Sequence, residues 1–256
     1  MFETVSGTPF RVRRRAGAPH VVFIHALGTG FWAWEAVANL LPAAWGHTLY
    51  DLRGHGLSGG AGEEMAIHAA DLRALAPAGA VLAGLSIGAQ IAMAAALDAP
   101  GRFAGLVLAD TAPRIGSVAS YADRAARVRA DGLAPFAADQ VRRWFSLAFA
   151  ARRPDVVAGA RHALTNQPVD GYLAACRAIG ACDLTDALPR LDLPVLCLGG
   201  SEDVSTPPNA LHRLATDLPD ATCTIVDGVG HMPSVEDPDA VAAHLIRFVQ
   251  TCHPTS

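Results

Sequence analysis

The chain contains no lysine: all 20 basic side chains among its 256 residues are arginine, set against 24 acidic ones for a formal net charge of −4. Without a side-chain amine, a Schiff base, a pyridoxal-phosphate lysine and a phosphate-binding P-loop lysine are all excluded. Charge is scarce, at 17% of residues against 51% hydrophobic, which is too apolar for a disordered chain. The acidic balance argues against nucleic acid as the main partner, because phosphate binding needs a net basic face. Five cysteines (Cys176, Cys182, Cys197, Cys223, Cys252) form no CxxC pair and are odd in number. Neither a metal cluster nor a disulfide framework is expected, and a reducing compartment fits. No run of about 18 apolar residues exists to span a membrane. The first seven residues carry an early acid, Glu3, and no apolar stretch of the signal-peptide kind. The expectation is a soluble cytoplasmic protein, long enough to bury most of its apolar surface as one domain. The basic run Arg11-Val-Arg-Arg-Arg15 reads as an exposed hairpin strand with solvated arginines.

Short apolar runs alternate with helical stretches, the pattern of an α/β protein with a mostly parallel sheet flanked by helices. Strands are expected at His20–Ile24, His47–Tyr50, Val81–Leu85, Leu106–Ala109, Pro194–Leu198 and Thr222–Val226, each unbroken enough to be buried on both faces. Helices are expected at Trp32–Leu41, Glu64–Ala76, Ile87–Leu97, Asn209–Leu218 and Pro238–Gln250, and an antiparallel hairpin from Phe2–Val5 and Phe10–Arg14. Between Thr111 and Leu188 the alternation stops. That stretch is rich in Arg and Ala and carries helical patterns at Tyr121–Asp131, Ala137–Ala151 and Gly171–Ile179. The expected division is therefore a core of residues 1–110 and 189–256, with residues 111–188 as a helical lid.

Chemistry concentrates at Gly84-Leu-Ser-Ile-Gly88, directly after one expected strand and opening the next helix. In G-x-S-x-G the serine occupies a strained strand-to-helix turn, and the glycines keep side chains out of the space on either side. The helix N-terminus then aims N–H groups at a developing oxyanion. Ser86 is thus a candidate nucleophile. His231, in the loop after the last strand, is the candidate base, and Asp203, after the penultimate strand, its candidate orienter. Asp110, at another strand end, is a rival to Asp203. The oxyanion donors are expected to be the N–H groups of Ile87, which follows the serine, and of Leu27 in the loop after His20–Ile24. His25 and His55 are read as structural.

These motifs make the chain similar to the α/β-hydrolase superfamily over nearly its whole length. Within it, the chain resembles the 3-oxoadipate enol-lactonases. The echoes are Leu27-Gly-Thr29 with Trp34, Asp51-Leu-Arg-Gly-His-Gly-Leu-Ser58, Gly84-Leu-Ser-Ile-Gly88 and Ala109-Asp-Thr-Ala-Pro-Arg-Ile-Gly116. Arg143-Trp-Phe145, Gly171-Tyr-Leu-Ala-Ala-Cys176 with Ala178-Ile179, Asp183-Leu184 and Asp203 with Thr206-Pro-Pro208 complete them. The chain departs from common superfamily patterns at Ala26 after His25 and at Ala89 after the serine turn. The resemblance implies hydrolysis of a small anionic lactone in aromatic catabolism, with no metal or organic cofactor. It also points to Arg143 and Trp144 as substrate-binding residues. Two alternatives stay open: another hydrolase on the same framework, such as a carboxylesterase or C–C bond hydrolase, and a ligand-binding protein that uses the fold with little turnover.

Overall fold

Runs such as Val21-Val-Phe-Ile24 and Leu106-Val-Leu-Ala109 have no polar face to offer water, so they lie in the middle of a layer covered on both sides. The computed structural model describes residues 1–253 and shows how they are covered. Eight strands form one sheet: β1 (Phe2–Val5), β2 (Thr8–Arg15), β3 (His20–Ile24), β4 (Gly46–Tyr50), β5 (Val81–Leu85), β6 (Gly105–Ala109), β7 (Val195–Gly200) and β8 (Ala221–Val226). Their order is β1-β2-β4-β3-β5-β6-β7-β8. The β1–β2 and β2–β4 pairs are antiparallel and all the others are parallel.

The order reverses between β3 and β5. One connection from β3 runs outward to β4, and the later strands build the other way. The connections leaving the carboxyl ends of the paired strands β3 and β5 therefore run in opposite directions and leave a crevice above them, which is where open α/β sheets place their sites.

Helices α1 (Trp32–Leu40), α2 (Met65–Leu75) and α3 (Ile87–Asp98) follow β3, β4 and β5. Helix α3 is buried nearly all round, and its small residues Gly88, Ala89, Ala92, Ala95 and Ala96 let it lie close against the sheet. After β6 come five helices without a strand: α4 (Val118–Asp131), α5 (Leu133–Val141), α6 (Leu147–Arg152), α7 (Pro154–Thr165) and α8 (Val169–Ala181). A 3₁₀ turn, Thr185–Arg190, leads back to β7, and α9 (Pro208–Asp217), α10 (Pro233–Glu236) and α11 (Pro238–Cys252) complete the chain.

One local expectation needs correction. The single helix expected over Ala137–Ala151 is broken into α5 and α6 by a turn at residues 142–146. Ser146 caps a new helix there, its Oγ accepting from the Phe149 N–H at 3.2 Å. The buried Glu236 carboxylate accepts from both the Ser146 N–H (3.0 Å) and its hydroxyl (2.6 Å), which holds the break in place. The Arg11–Arg15 run is the second strand of the expected hairpin, and β2 also pairs with β4 on its other side. Its arginines are engaged as well as solvated: Arg14 meets Glu3 at 2.6 Å, Arg13 meets Glu35 at 2.6 Å, and Arg15 donates to the Trp45 carbonyl at 2.8 Å. All five cysteines are free thiols.

Candidate active site

At the end of β5 the chain must turn sharply into α3, and it does so at Ser86 with φ 58° and ψ −118°. A non-glycine residue there is strained, and neighbours on both sides hold it. The Ser86 N–H donates to the Ala109 carbonyl (2.9 Å), and its own carbonyl accepts from Thr111 Oγ1 (3.0 Å). The flanking glycines are required by close approach: a Cβ on Gly84 would collide with the Gly88 carbonyl, and one on Gly88 with that of Ile24.

The structure brings Ser86, Asp203 and His231 together. His231 Nδ1 lies 2.8 Å from Asp203 Oδ2, and both residues are buried. Ser86 and His231 line one cavity of about 180 Å³. Asp203 is fixed in turn by the N–H groups of Ser205 (2.7 Å) and Thr206 (3.2 Å) and by the Thr206 hydroxyl (2.7 Å). Burial alone would raise the Asp203 pKa. The facing His231 and these donors outweigh burial and hold the carboxyl below its ordinary range.

Asp110, the rival, sits at the end of β6 with φ 39°. Its Oδ1 accepts from the Gly200 N–H at 2.9 Å, while Oδ2 is buried without a partner. Burial, then the nearby Asp203 charge, raise its pKa well above the ordinary value, which favours the neutral acid. Donor atoms of Asp110, Asp203 and His231 all lie within 4.8 Å of one another, close enough to be tested as a metal site. The donor set fits poorly: Asp203 Oδ2 and His231 Nδ1 are directed at each other, and Asp110 Oδ1 already accepts from the Gly200 N–H.

The loop after β3 carries Leu27, whose side chain lines the same cavity. Among the described residues, the N–H groups of Leu27 and Ile87 make no hydrogen bond. His25 shapes this loop. Its Nδ1 lies 2.8 Å from the Ala26 carbonyl, and its Nε2 accepts from the Leu52 N–H at 2.8 Å, which requires the neutral ring protonated at Nδ1. Burial lowers the His25 pKa to about 4. His55 packs edge-on against it at 5.5 Å, and burial followed by His25 lowers its pKa to about 3. Both serve structure. Asp51 completes the arrangement by accepting from Phe31 N–H (2.9 Å) and Leu57 N–H (3.1 Å), so its turn and the β3 loop are tied through one carboxylate.

The helical segment roofs the cavity. Trp144 is buried and lines it, whereas Arg143 is exposed on the turn after α5, reaching the Val204 carbonyl at 3.4 Å while also bordering the cavity. Three contributors were not foreseen in the sequence. Gln167 accepts from Gly56 N–H (2.9 Å) and donates to the Thr29 carbonyl (2.9 Å), tying the roof to the β3 loop. Glu236 holds Ser146 and the Gly230 N–H (2.9 Å) beside His231. Arg124 of α4 lines the cavity with Tyr121 and Tyr172. Neither Gln167 nor Glu236 lies in a local pattern that sequence could read, because their partners are remote in the chain.

A sheet that is parallel from β3 to β8, a serine turn beside the reversal of strand order, and helices inserted after β6 define a class of protein. The chain belongs to the α/β-hydrolase family, whose model matches residues 21–244, and it is a hydrolase of that family. It is 29% identical over 244 residues to 3-oxoadipate enol-lactonase 2 of Acinetobacter baylyi, with 91% of each chain covered. It is 32% identical to a pimeloyl-[acyl-carrier protein] methyl ester esterase of Aromatoleum aromaticum, covering 88% of this chain and 95% of that one. Among solved structures, the enol-lactonase from Burkholderia xenovorans superposes with a TM-score of 0.92 at 28% identity, covering 98% of this chain and 100% of that one. Among the described residues no helix is long and apolar enough to cross a membrane.

Proposed function

We propose that the protein hydrolyses an enol-lactone, converting 3-oxoadipate enol-lactone to 3-oxoadipate, with Ser86 as nucleophile, His231 as base and Asp203 as orienter. The observation that carries the chemistry is the 2.8 Å contact between His231 Nδ1 and Asp203 Oδ2, with Ser86 and His231 on one cavity wall. Because Asp203 occupies Nδ1, Nε2 is the nitrogen left to take the proton from Ser86 Oγ. The serine oxygen attacks the lactone carbonyl, and the N–H groups of Leu27 and Ile87 receive the oxyanion. Collapse breaks the ring C–O bond, the His231 imidazolium returns the proton to the leaving enol oxygen, and the enol, still joined to the acyl-serine, tautomerises to the ketone. Water deprotonated by His231 then frees the acyl group from Ser86.

Support for the lactone comes from the relatives named enol-lactonases and from the roof, where Arg143 supplies a cation and Trp144 an apolar wall. The esterase relatives favour a second reading, hydrolysis of an open-chain carboxylic ester by the same groups. Steady-state turnover separates the two. The proposal expects kcat/KM for the enol-lactone, followed by loss of enol absorbance, to exceed that for methyl pimelate. The reverse ranking would replace the lactone by the ester.

A further inference from the structure

Five of the ten arginines between residues 111 and 188 pair with a carboxylate. Arg127 and Arg142 both meet Asp139, at 3.8 and 2.9 Å, and Arg153 meets Asp155 at 2.9 Å. Arg124 differs. It is half-buried on the cavity side of α4, and the groups that act on it are the phenols of Tyr172 and Tyr121 and the Cys176 thiol, with no carboxylate among them. Its guanidinium lies 4.8 Å from the Tyr121 ring centroid and 5.6 Å from that of Phe136. Aromatic faces can carry a guanidinium while its edge N–H groups remain free.

Two of the chain's three tyrosines are grouped around this one cation, on the wall of the cavity that holds Ser86 and His231. The placement is built by packing. Gly180 of α8 has no side chain where a Cβ would lie 2.9 Å from that of Tyr121, so α4 settles closely on α8 and presents Arg124 to the cavity. A half-buried cation on the wall of a small cavity, its planar guanidinium paired with no carboxylate among the described residues, is suited to an anion of matching planar geometry, which is a carboxylate. Arg143, by contrast, is exposed and turned toward a backbone carbonyl at the rim.

We propose that Arg124 binds the free carboxylate of an anionic ester or lactone, and that it, more than Arg143, sets the preference for anionic substrates. The inference rests on the reading of this cavity as the hydrolytic site. The test compares kcat/KM for a neutral ester, 4-nitrophenyl butyrate, with that for mono-4-nitrophenyl glutarate, which carries a free carboxylate. In Arg124→Gln the ratio of anionic to neutral kcat/KM should fall about 10- to 100-fold, chiefly through KM. Arg124→Lys should restore part of it, and Arg143→Gln should lower it less. A second arm measures adipate binding by titration calorimetry in the same variants, where Arg124→Gln should weaken Kd by a comparable factor. An unchanged ratio, a larger fall in Arg143→Gln, or equal adipate affinity in wild type and Arg124→Gln would overturn the proposal. Failure of the wild type to cleave either ester would instead count against hydrolysis at this site, and the calorimetric arm would still decide Arg124.

Discussion

The carboxyl ends of the strands and the helical roof meet at one cavity but are built in opposite ways. At the strand ends, polar groups are directed at one another. Asp203 is held by Ser205, Thr206 and His231, and Ser86 is pinned in a positive-φ turn by its neighbours on β6 and beyond. In the roof, the cavity-facing Arg124 has aromatic faces around it and, among the described residues, no carboxylate paired with it. One region is therefore suited to make reactivity at a fixed point, the other to choose what reaches it. Gln167 and Glu236 join the two, each bridging the roof to a loop of the sheet.

If the strand ends carry the reaction, the largest effect belongs to Ser86→Ala, which should keep the fold and lower kcat by about 10⁶-fold. A folded variant retaining a tenth of wild-type kcat would move the chemistry elsewhere. The next effect distinguishes two carboxyls of the same region. Asp203→Asn should lower kcat by about 10⁴-fold through loss of the correct imidazole tautomer and its charge. Asp110→Asn should cost less than about tenfold, because Asp203 rather than Asp110 meets His231 Nδ1 and Asn keeps an acceptor for the Gly200 N–H. The opposite order of kcat values would exchange their roles.

The joint between the regions should be visible in stability. Glu236→Ala leaves the Ser146 N–H, the Ser146 hydroxyl and the Gly230 N–H without their acceptor, and should cost roughly 3 kcal/mol in denaturant unfolding. A loss below 0.5 kcal/mol, on the order of an ordinary surface substitution, would show that the joint contributes little.

Another effect, read against pH, concerns the loop that links β3 to the Asp51 turn. Buried His25 and His55 have folded-state pKa values of about 4 and about 3, below the ordinary 6.5, so below pH 6.5 the unfolded chain binds protons that the folded one refuses. Stability is then lost as pH falls from 6.5 toward 4, by about 1.4 kcal/mol per pH unit for each ring. In His55→Phe, which removes a ring nitrogen that has no partner, unfolding measured between those pH values should show a slope shallower by one proton. An unchanged slope would mean that His55 is already charged in the folded state.

The two regions also differed in how far the sequence could be read. Strands such as Val81–Leu85 were legible to the residue because a short apolar run between turns has few other fates. The serine turn was legible because strand, glycines and helix are consecutive. The roof was harder. The run Ala137–Ala151 looks like one helix by local propensity, and only a carboxylate 90 residues away breaks it at Ser146. Arg124 resembles its neighbours Arg127 and Arg129 in composition and spacing; what sets it apart is packing across α4 and α8, which no local pattern records.

The central claim is that Ser86 carries the reaction. Incubation with a serine-directed organophosphonate, followed by peptide mapping of the adduct, tests it most directly. The account predicts one adduct per chain, on the peptide containing Ser86, formed in step with loss of ester hydrolysis. Loss of hydrolysis with the adduct on another serine, or full activity in a chain labelled at Ser86, would contradict it.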